Sequence, residues 1–296
     1  MKPNSISIKK KIFNLFALTA FVCFYTSSVL AQTSNSKPEN SLLWEISGKG
    51  IQKPSYLYGT IHMICAKDYF LSEKTKTAFD KSDKLFLEIN FTDPNEMSQM
   101  QQLAMGKEPL SKKLNPEQLA RLDLILRKNT GMTVQQVDSF SLITVLSLIS
   151  MKSFGCTDLK FYEMEFSEMA KKRNITITGF ETVKSQFDIL EDAYSNDEML
   201  KLLEESTPEE TTELLKQYKN ENISALFAAT TDERFTSEKT KKQILDNRNI
   251  DWVKQMPELI KQNPVFFAVG AGHLGGEFGV INLLRKEGYT VKPVMN

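Results

Sequence analysis

The sequence predicts a mixed α/β (α+β) fold: a central β-sheet flanked by helices, with a large helical insertion. Three observations carry that reading. Strand–turn–helix units, rich in aromatic and β-branched residues, lie near both ends of the chain. A buried-looking strand, KLFLEIN at residues 84–90, stands between them. Residues 182–262 are almost all helix-forming and charged. Sheets and helices that each carry one apolar face bury it against one another, which gives a layered α/β architecture.

The first 31 residues stand apart from that globule. Lys9, Lys10 and Lys11 precede the apolar run IFNLFALTAFVCFYTSSVL, and Val29-Leu30-Ala31 before Gln32 suits a signal-peptidase cut. A basic start, a short apolar stretch and a small residue at the cut make a secretory signal peptide. The alternative is a retained anchor, but Ile12 to Tyr25 is short for a spanning helix, which needs about 20 residues. Residues 32–41 read as a polar leader and 42–296 as the domain of an exported protein, periplasmic or extracellular, with no membrane span after cleavage. The chain carries 37 basic and 37 acidic residues; removing the four lysines of residues 1–31 leaves 33 basic against 37 acidic. That balance holds no basic patch for nucleic acid.

Each element has its own signal. Leu42 to Ser47 and Tyr56 to Ile61, separated by Gly48-Lys49-Gly50, form a hairpin. Ser72 caps a helix to Lys81, and Lys84 to Asn90 is the buried strand. Asn115-Pro116 starts a helix to Lys128, Ser139 to Phe154 is a strongly apolar helix, and Phe161 to Arg173 continues the pattern. The β-branched run Ile175 to Thr178 is a strand ending in a turn at Gly179. Ser206-Thr207-Pro208 starts one later helix and Pro257 interrupts another. Val265 to Val269, a helix from Gly276 to Lys286 and a strand from Tyr289 to Val294 close the chain. No heptad run or fixed-period repeat is present.

The stretch VFFAVGAGHLGGEFG, residues 265–279, contains Gly270-x-Gly272-x-x-Gly275, a spacing that can hold a dinucleotide pyrophosphate. Such a site needs an acidic residue roughly 20 positions later. The last strand, YTVKPV, offers Lys292 instead. His273 points elsewhere. The chain has two histidines, and both stand in Gly-x-x-His at a strand end: Gly59-Thr60-Ile61-His62 and Gly270-Ala271-Gly272-His273. With 13 glycines in 296 residues, a chance match at both is rare. Glycine permits a sharp turn and places each histidine at the sheet edge where α/β sites form. Glu88 interrupts an otherwise apolar strand and so needs a cation or a raised pKa, unless it faces water from an edge strand. Glu181 follows another strand, as a site residue or as a first-turn helix glutamate. Cys65 and Cys156, which remain after cleavage of the segment with Cys23, read first as a disulfide in an exported protein. Thiolate ligation of a metal is the alternative, since Cys65 lies three residues after His62.

LYGTIH, LEIN, GFETVKSQ, DNRNIDWV and VGAGHLGGEFGVINLLRKEGYTV together resemble the TraB/GumN family, which includes the Tiki metalloproteases and is distantly similar to erythromycin-esterase-like proteins. The resemblance covers about Leu42 to Val294. It implies a mixed α/β fold and, in the Tiki branch, divalent-metal-dependent peptide cleavage. His62 and His273 match the family's motif histidines, Glu88 its strand glutamate, Glu181 its Gly-x-Glu-Thr glutamate, and Arg248 with Asn249 its Arg-Asn pair. Phe180 and Lys184 depart from the family's more frequent leucine and acidic residue.

The leading expectation is a metal-dependent hydrolase. His62, His273 and Glu88, Glu181 or both would hold a divalent ion such as Mn, Co or Zn, leaving a position for water. A glutamate outside the ligand set would act as general base, and Arg248 would stabilise the oxyanion. The substrate would be a peptide or other small molecule. Two alternatives are a metal-free, erythromycin-esterase-like hydrolase in which a histidine activates water, and an exported protein that binds a peptide or pheromone without turnover.

Overall fold

The structure, a computed structural model, describes residues 40–205 and 207–295. The predicted signal peptide, residues 32–39 of the leader and Ser206 at an expected helix start lie outside the described residues. The strands are β1 Leu43–Ser47, β2 Ser55–Thr60, β3 Met63–Cys65, β4 Lys84–Ile89, β5 Leu159–Phe161, β6 Thr176–Glu181, β7 Val265–Gly270 and β8 Thr290–Pro293. Six of them form one sheet in the order β6-β4-β7-β2-β1-β8, and β3 pairs with β5 in a second. β6, β4, β7 and β2 run parallel, whereas β1 and β8 join antiparallel.

Parallel strands are covered on both faces, so they read as continuous apolar runs. β7, VFFAVG, and β2, SYLYGT, are buried at every position. Side chains alternate across the sheet. Phe266 therefore packs with Phe79, Phe166 and Tyr58, while its neighbour Phe267 packs with Phe86 and Phe180 on the other face. A second hydrophobic cluster lies in the helical insertion, around Leu122, Leu126, Val145, Ile149, Leu200 and Leu203. The insertion thus draws on two segments, one between β4 and β5 and one after β6.

The expected helix starts rest on side-chain caps. Ser72 accepts from the Thr75 N–H, Asn115 and Gln118 form a capping box ahead of Pro116–Thr130, and Ser141 caps Leu142–Ser153. Three expectations need correction. Gly179 is no turn: β6 continues to Glu181, and the glycine is needed because a Cβ there would lie 2.8 Å from the Asn90 nitrogen. Pro257 does not interrupt its helix. Asn247–Gln262 runs through it, held by Trp252, Val253, Met256 and Ile260, which are buried on both sides of the proline. The last helix spans Val280–Lys286 and not residues 276–286, because Gly276 sits at φ +81° and keeps the preceding loop non-helical. The glycine loop therefore does not run straight into a helix N-terminus as a pyrophosphate cradle would.

Cys65 and Cys156 are joined by a disulfide with Cα atoms 6.1 Å apart. It clamps the β3–β5 pair, in which Cys65 lies opposite Leu159.

Candidate active site

The parallel strands end at one edge, and each delivers a polar residue there. In open α/β sheets this carboxyl edge is where ligands bind. β2 and β7 are neighbours with Thr60 opposite Gly270, so the two Gly-x-x-His turns leave the sheet side by side. The motif glycines do not supply the turn, since neither Gly59 nor Gly270 has positive φ. They permit close approach. A Cβ on Gly59 would lie 3.0 Å from the Ala271 Cβ, and one on Gly270 would lie 3.0 Å from His62 Nε2 and 3.3 Å from Glu88 Oε1. The left-handed residue is His62 itself, at φ +60°. Such strain in a non-glycine residue persists only where the surroundings hold it.

Those surroundings are visible. Tyr162 N–H donates to the His62 carbonyl at 2.9 Å. The adjacent Glu163 places Oε1 2.8 Å from His62 Nδ1, and Thr60 Oγ1 donates to the same oxygen at 2.7 Å. Glu163 is nearly buried, whereas the His62 side chain is 56% exposed. Burial opposes the imidazolium, but the Glu163 carboxylate outweighs it and raises His62 to about 9. Solvent around the half-exposed ring works against that shift.

Arg248 occupies the centre of the remaining network. Its Nε donates to Glu181 at 2.9 Å, Nη2 donates to Glu88 at 2.6 Å and to Glu181 at 2.9 Å, and Nη1 donates to the Ile244 carbonyl at 3.0 Å. Nη1 also lies 3.2 Å from His273 Nε2. A guanidinium only donates, so this ring nitrogen accepts and Nδ1 carries the proton. His273 Nδ1 accordingly donates to Asn249 Oδ1 at 2.7 Å, and the Asn249 amide is turned by its own bonds to the His273 and Phe278 carbonyls. Burial, then the Arg248 charge, pushes His273 down to about 3. Burial works against ionised Glu88, yet Arg248 and the Gly270 N–H hold its carboxyl below the usual range. Glu181 also accepts from Trp252 Nε1 at 2.8 Å.

The structure thus brings His273, Glu88, Glu181 and Arg248 into one buried cluster, with His62 beside it. Glu181 is the last residue of β6, and its oxygens are taken by Arg248 and Trp252. All five Arg248 N–H donors are engaged, so none is free for an oxyanion. The sequence reading missed Glu163, Gln186, whose Nε2 donates to Glu88 at 3.0 Å, and Trp252. One signal could have found Glu163. It falls on the buried stripe Tyr162, Glu163, Phe166, Ser167, Ala170 of its helix, where a carboxylate is out of place.

A divalent ion can be tested against this arrangement. Both imidazoles have Nδ1 tied to an acceptor, which is how metal-ligating histidines are oriented. However, Arg248 stands against His273 Nε2, and Glu88 Oε1 lies 4.0 Å from that atom. Among the described residues no three His, Cys, Asp or Glu side chains converge to hold an ion. As arranged, the residues do not fit a metal.

A sequence profile of the TraB/PrgY/gumN family matches residues 42–293. The chain belongs to the TraB/PrgY/gumN family. Within that family it is similar to the protein named Metalloprotease TIKI1 of Xenopus tropicalis, 25% identical over 313 residues, covering 85% of this chain and 61% of the relative. It is 23% identical to Metalloprotease TIKI1 of Homo sapiens over 316 residues, 86% of this chain and 62% of that protein. Metalloprotease TIKI2 of Xenopus tropicalis is 21% identical over 355 residues, 94% and 67% of the two chains. The chain spans about three fifths of the length of the TIKI1 relatives.

Proposed function

We propose that this chain is a hydrolase of peptides or similar small substrates. The observation that carries the reading is a half-exposed, strained His62, backed by buried Glu163, beside the Arg248–Glu88–Glu181–His273 cluster. The relatives' name, metalloprotease, supports the same reaction class.

His62 Nε2 has no hydrogen-bond partner among the described residues, so it is the ring atom available to substrate or water. There it exchanges a proton with the attacking water or the leaving group. Glu163 fixes the ring through Nδ1 and balances its charge as the proton arrives. Arg248, with its donors committed, orders the two carboxylates and the His273 ring beside His62. Glu88 and Glu181 hold that guanidinium in place. His62→Asn should lower kcat by about 10²–10⁴-fold on a cleaved peptide, and Glu163→Gln by less. Turnover unchanged in both variants would refute the assignment.

A second reading is a divalent metal such as Mn, Co or Zn at His62, His273 and Glu88. It is favoured by the two tied Nδ1 atoms and by the relatives' name. It requires Arg248 to release His273. Elemental analysis of the purified protein and of its His62→Ala and His273→Ala variants decides between the two. About one ion per chain, lost in both variants, selects the metal reading. Binding of a peptide without turnover would leave an exported binding protein.

Export itself belongs to the proposal. It is supported by the signal-like N-terminus and by a disulfide of the kind kept in oxidising compartments. No helix among the described residues is long and apolar enough to cross a membrane.

A further inference from the structure

Between the histidine turns and the helical insertion lies a cavity of about 360 Å³. Ile61 and Met63, the residues on either side of His62, form part of its lining. Thr230 forms another part, and it is also packed against the second turn. A Cβ on Gly272, the residue before His273, would meet Thr230 Oγ1 at 2.5 Å. The cavity is therefore bordered by the residues flanking His62 and, on another side, by Thr230, which separates it from the second turn.

Its chemistry is uneven in an informative way. Phe154, Leu214 and Phe235 give it apolar walls. One carboxylate in the lining, Glu205, is the last residue of the helix Asn196–Glu205 and makes no ion pair or side-chain hydrogen bond among the described residues. A negative charge at a helix C-terminus is disfavoured by the helix dipole, so Glu205 has a standing demand for a cation. Two cations beside residues of the lining have other contacts. Arg234 pairs with Asp232 at 2.7 Å and with Glu210 at 3.4 Å, and Lys201 lies over the Phe235 ring. A volume of this size lies at the small end of ligand pockets and suits one large side chain.

We propose that this cavity is the substrate-recognition pocket of the enzyme, taking a large apolar side chain of a peptide that has a lysine or arginine next to it, held by Glu205. The proposal rests on the hydrolase reading. Because Ile61 and Met63 bracket His62, the pocketed residue lies next to the bond that is cut. Ala229, which lines the same cavity and faces solvent in the helix Ile223–Thr230, offers a way to fill it without touching the catalytic cluster.

The test uses the full chain, its Ala229→Phe and Glu205→Lys variants, and a fluorogenic peptide library, with thermal melts confirming that each variant folds. Wild type should favour Leu, Met or Phe beside Lys or Arg over Gly beside Asp by at least about tenfold in kcat/KM. Ala229→Phe should lose the preference for large residues while still cleaving the Gly peptides, and Glu205→Lys should reverse the charge preference. Turnover with preferences unchanged in both variants overturns the pocket and leaves the hydrolase intact. If wild type cleaves nothing, the hydrolase reading fails and fluorescence anisotropy of a labelled Phe-Lys peptide judges the pocket separately. Binding that Ala229→Phe abolishes sustains it; no binding, or binding that both variants retain, overturns it.

Discussion

Arg248 gathers two carboxylates, an imidazole and a backbone carbonyl onto one guanidinium. Deleting it leaves Glu88 and Glu181 buried without a cation, and breaking a buried pair in this way costs about 3–5 kcal/mol. Arg248→Met should lower stability by that much in urea unfolding, and Arg248→Lys should recover only part, because an ammonium cannot reproduce the planar fork. A Met variant within about 0.5 kcal/mol of wild type would contradict the network. His273 adds a pH dependence. Its folded value of about 3 lies below the ordinary 6.5, so below pH 6.5 the unfolded chain takes a proton that the folded chain refuses. Stability from this ring is therefore lost as pH falls from 6.5 towards 3. Glu88, also depressed, loses its contribution only below its ordinary 4.5, and the raised His62 has its contribution complete below 6.5. Between pH 6.5 and 5, then, the urea midpoint should fall in wild type and fall less in His273→Gln. Equal slopes would show that the ring is not buried neutral. Both histidines and both glutamates were legible in the sequence because each ends or interrupts an apolar strand. Glu163 was not, because helix propensity accepts a glutamate anywhere and only its burial marks it.

At the level of elements, the site depends on how closely β7 and β2 approach and on how firmly β3 and β5 are clamped. Gly270→Ala introduces a methyl 3.0 Å from His62 Nε2 and 3.3 Å from Glu88 Oε1 without demanding a forbidden φ. On the proposed hydrolase reading, the expected outcome is a folded protein with most of that activity lost, read by kcat beside an unchanged far-UV spectrum. Full activity would place the reacting groups elsewhere. The disulfide acts on the same site from the other side, since β5 leads directly into Tyr162 and Glu163, which hold His62. Cys65→Ser with Cys156→Ser removes a loop closure worth about 4–5 kcal/mol in the chain-entropy model. The double variant should melt lower and lose kcat, and free-thiol titration of the denatured, unreduced wild type should find neither cysteine. Strand and helix identities were readable here, but their ends were not. Gly179 looked like a turn because the close approach of β4 that requires it is a tertiary fact. Pro257 looked like a break because the packing around it outweighs one missing backbone bond. β5, three residues long, has no periodicity of its own.

Across the whole molecule, the order β6-β4-β7-β2 brings together residues separated by up to about 200 positions, because parallel strands in one sheet share a carboxyl edge. Alternation of strands and helices announced that class of fold, but the strand order, which makes Thr60 and Gly270 neighbours, has no local signature. The apolar helix at residues 139–154 was legible, but not that it packs with the helices after β6 into a core separate from the sheet's. That separation has a measurable consequence. The sheet cluster buries Phe266, Phe267, Phe79, Trp44 and Trp252, whereas the insertion cluster is aliphatic and smaller. Regions with fewer buried contacts open at lower free energy in native-state hydrogen exchange. Amides of Pro116–Thr130, Leu142–Ser153 and Asn196–Glu205 should therefore exchange through an opening that leaves β4 and β7 protected. Leu126→Ala, which removes a fully buried side chain from the insertion cluster, should cost about 2–5 kcal/mol there. Protection should then drop in those three helices and stay high in β7. If β7 loses protection in step with them, the two clusters unfold as one unit, and the pocket between the insertion and the histidine turns has a wall as rigid as its floor.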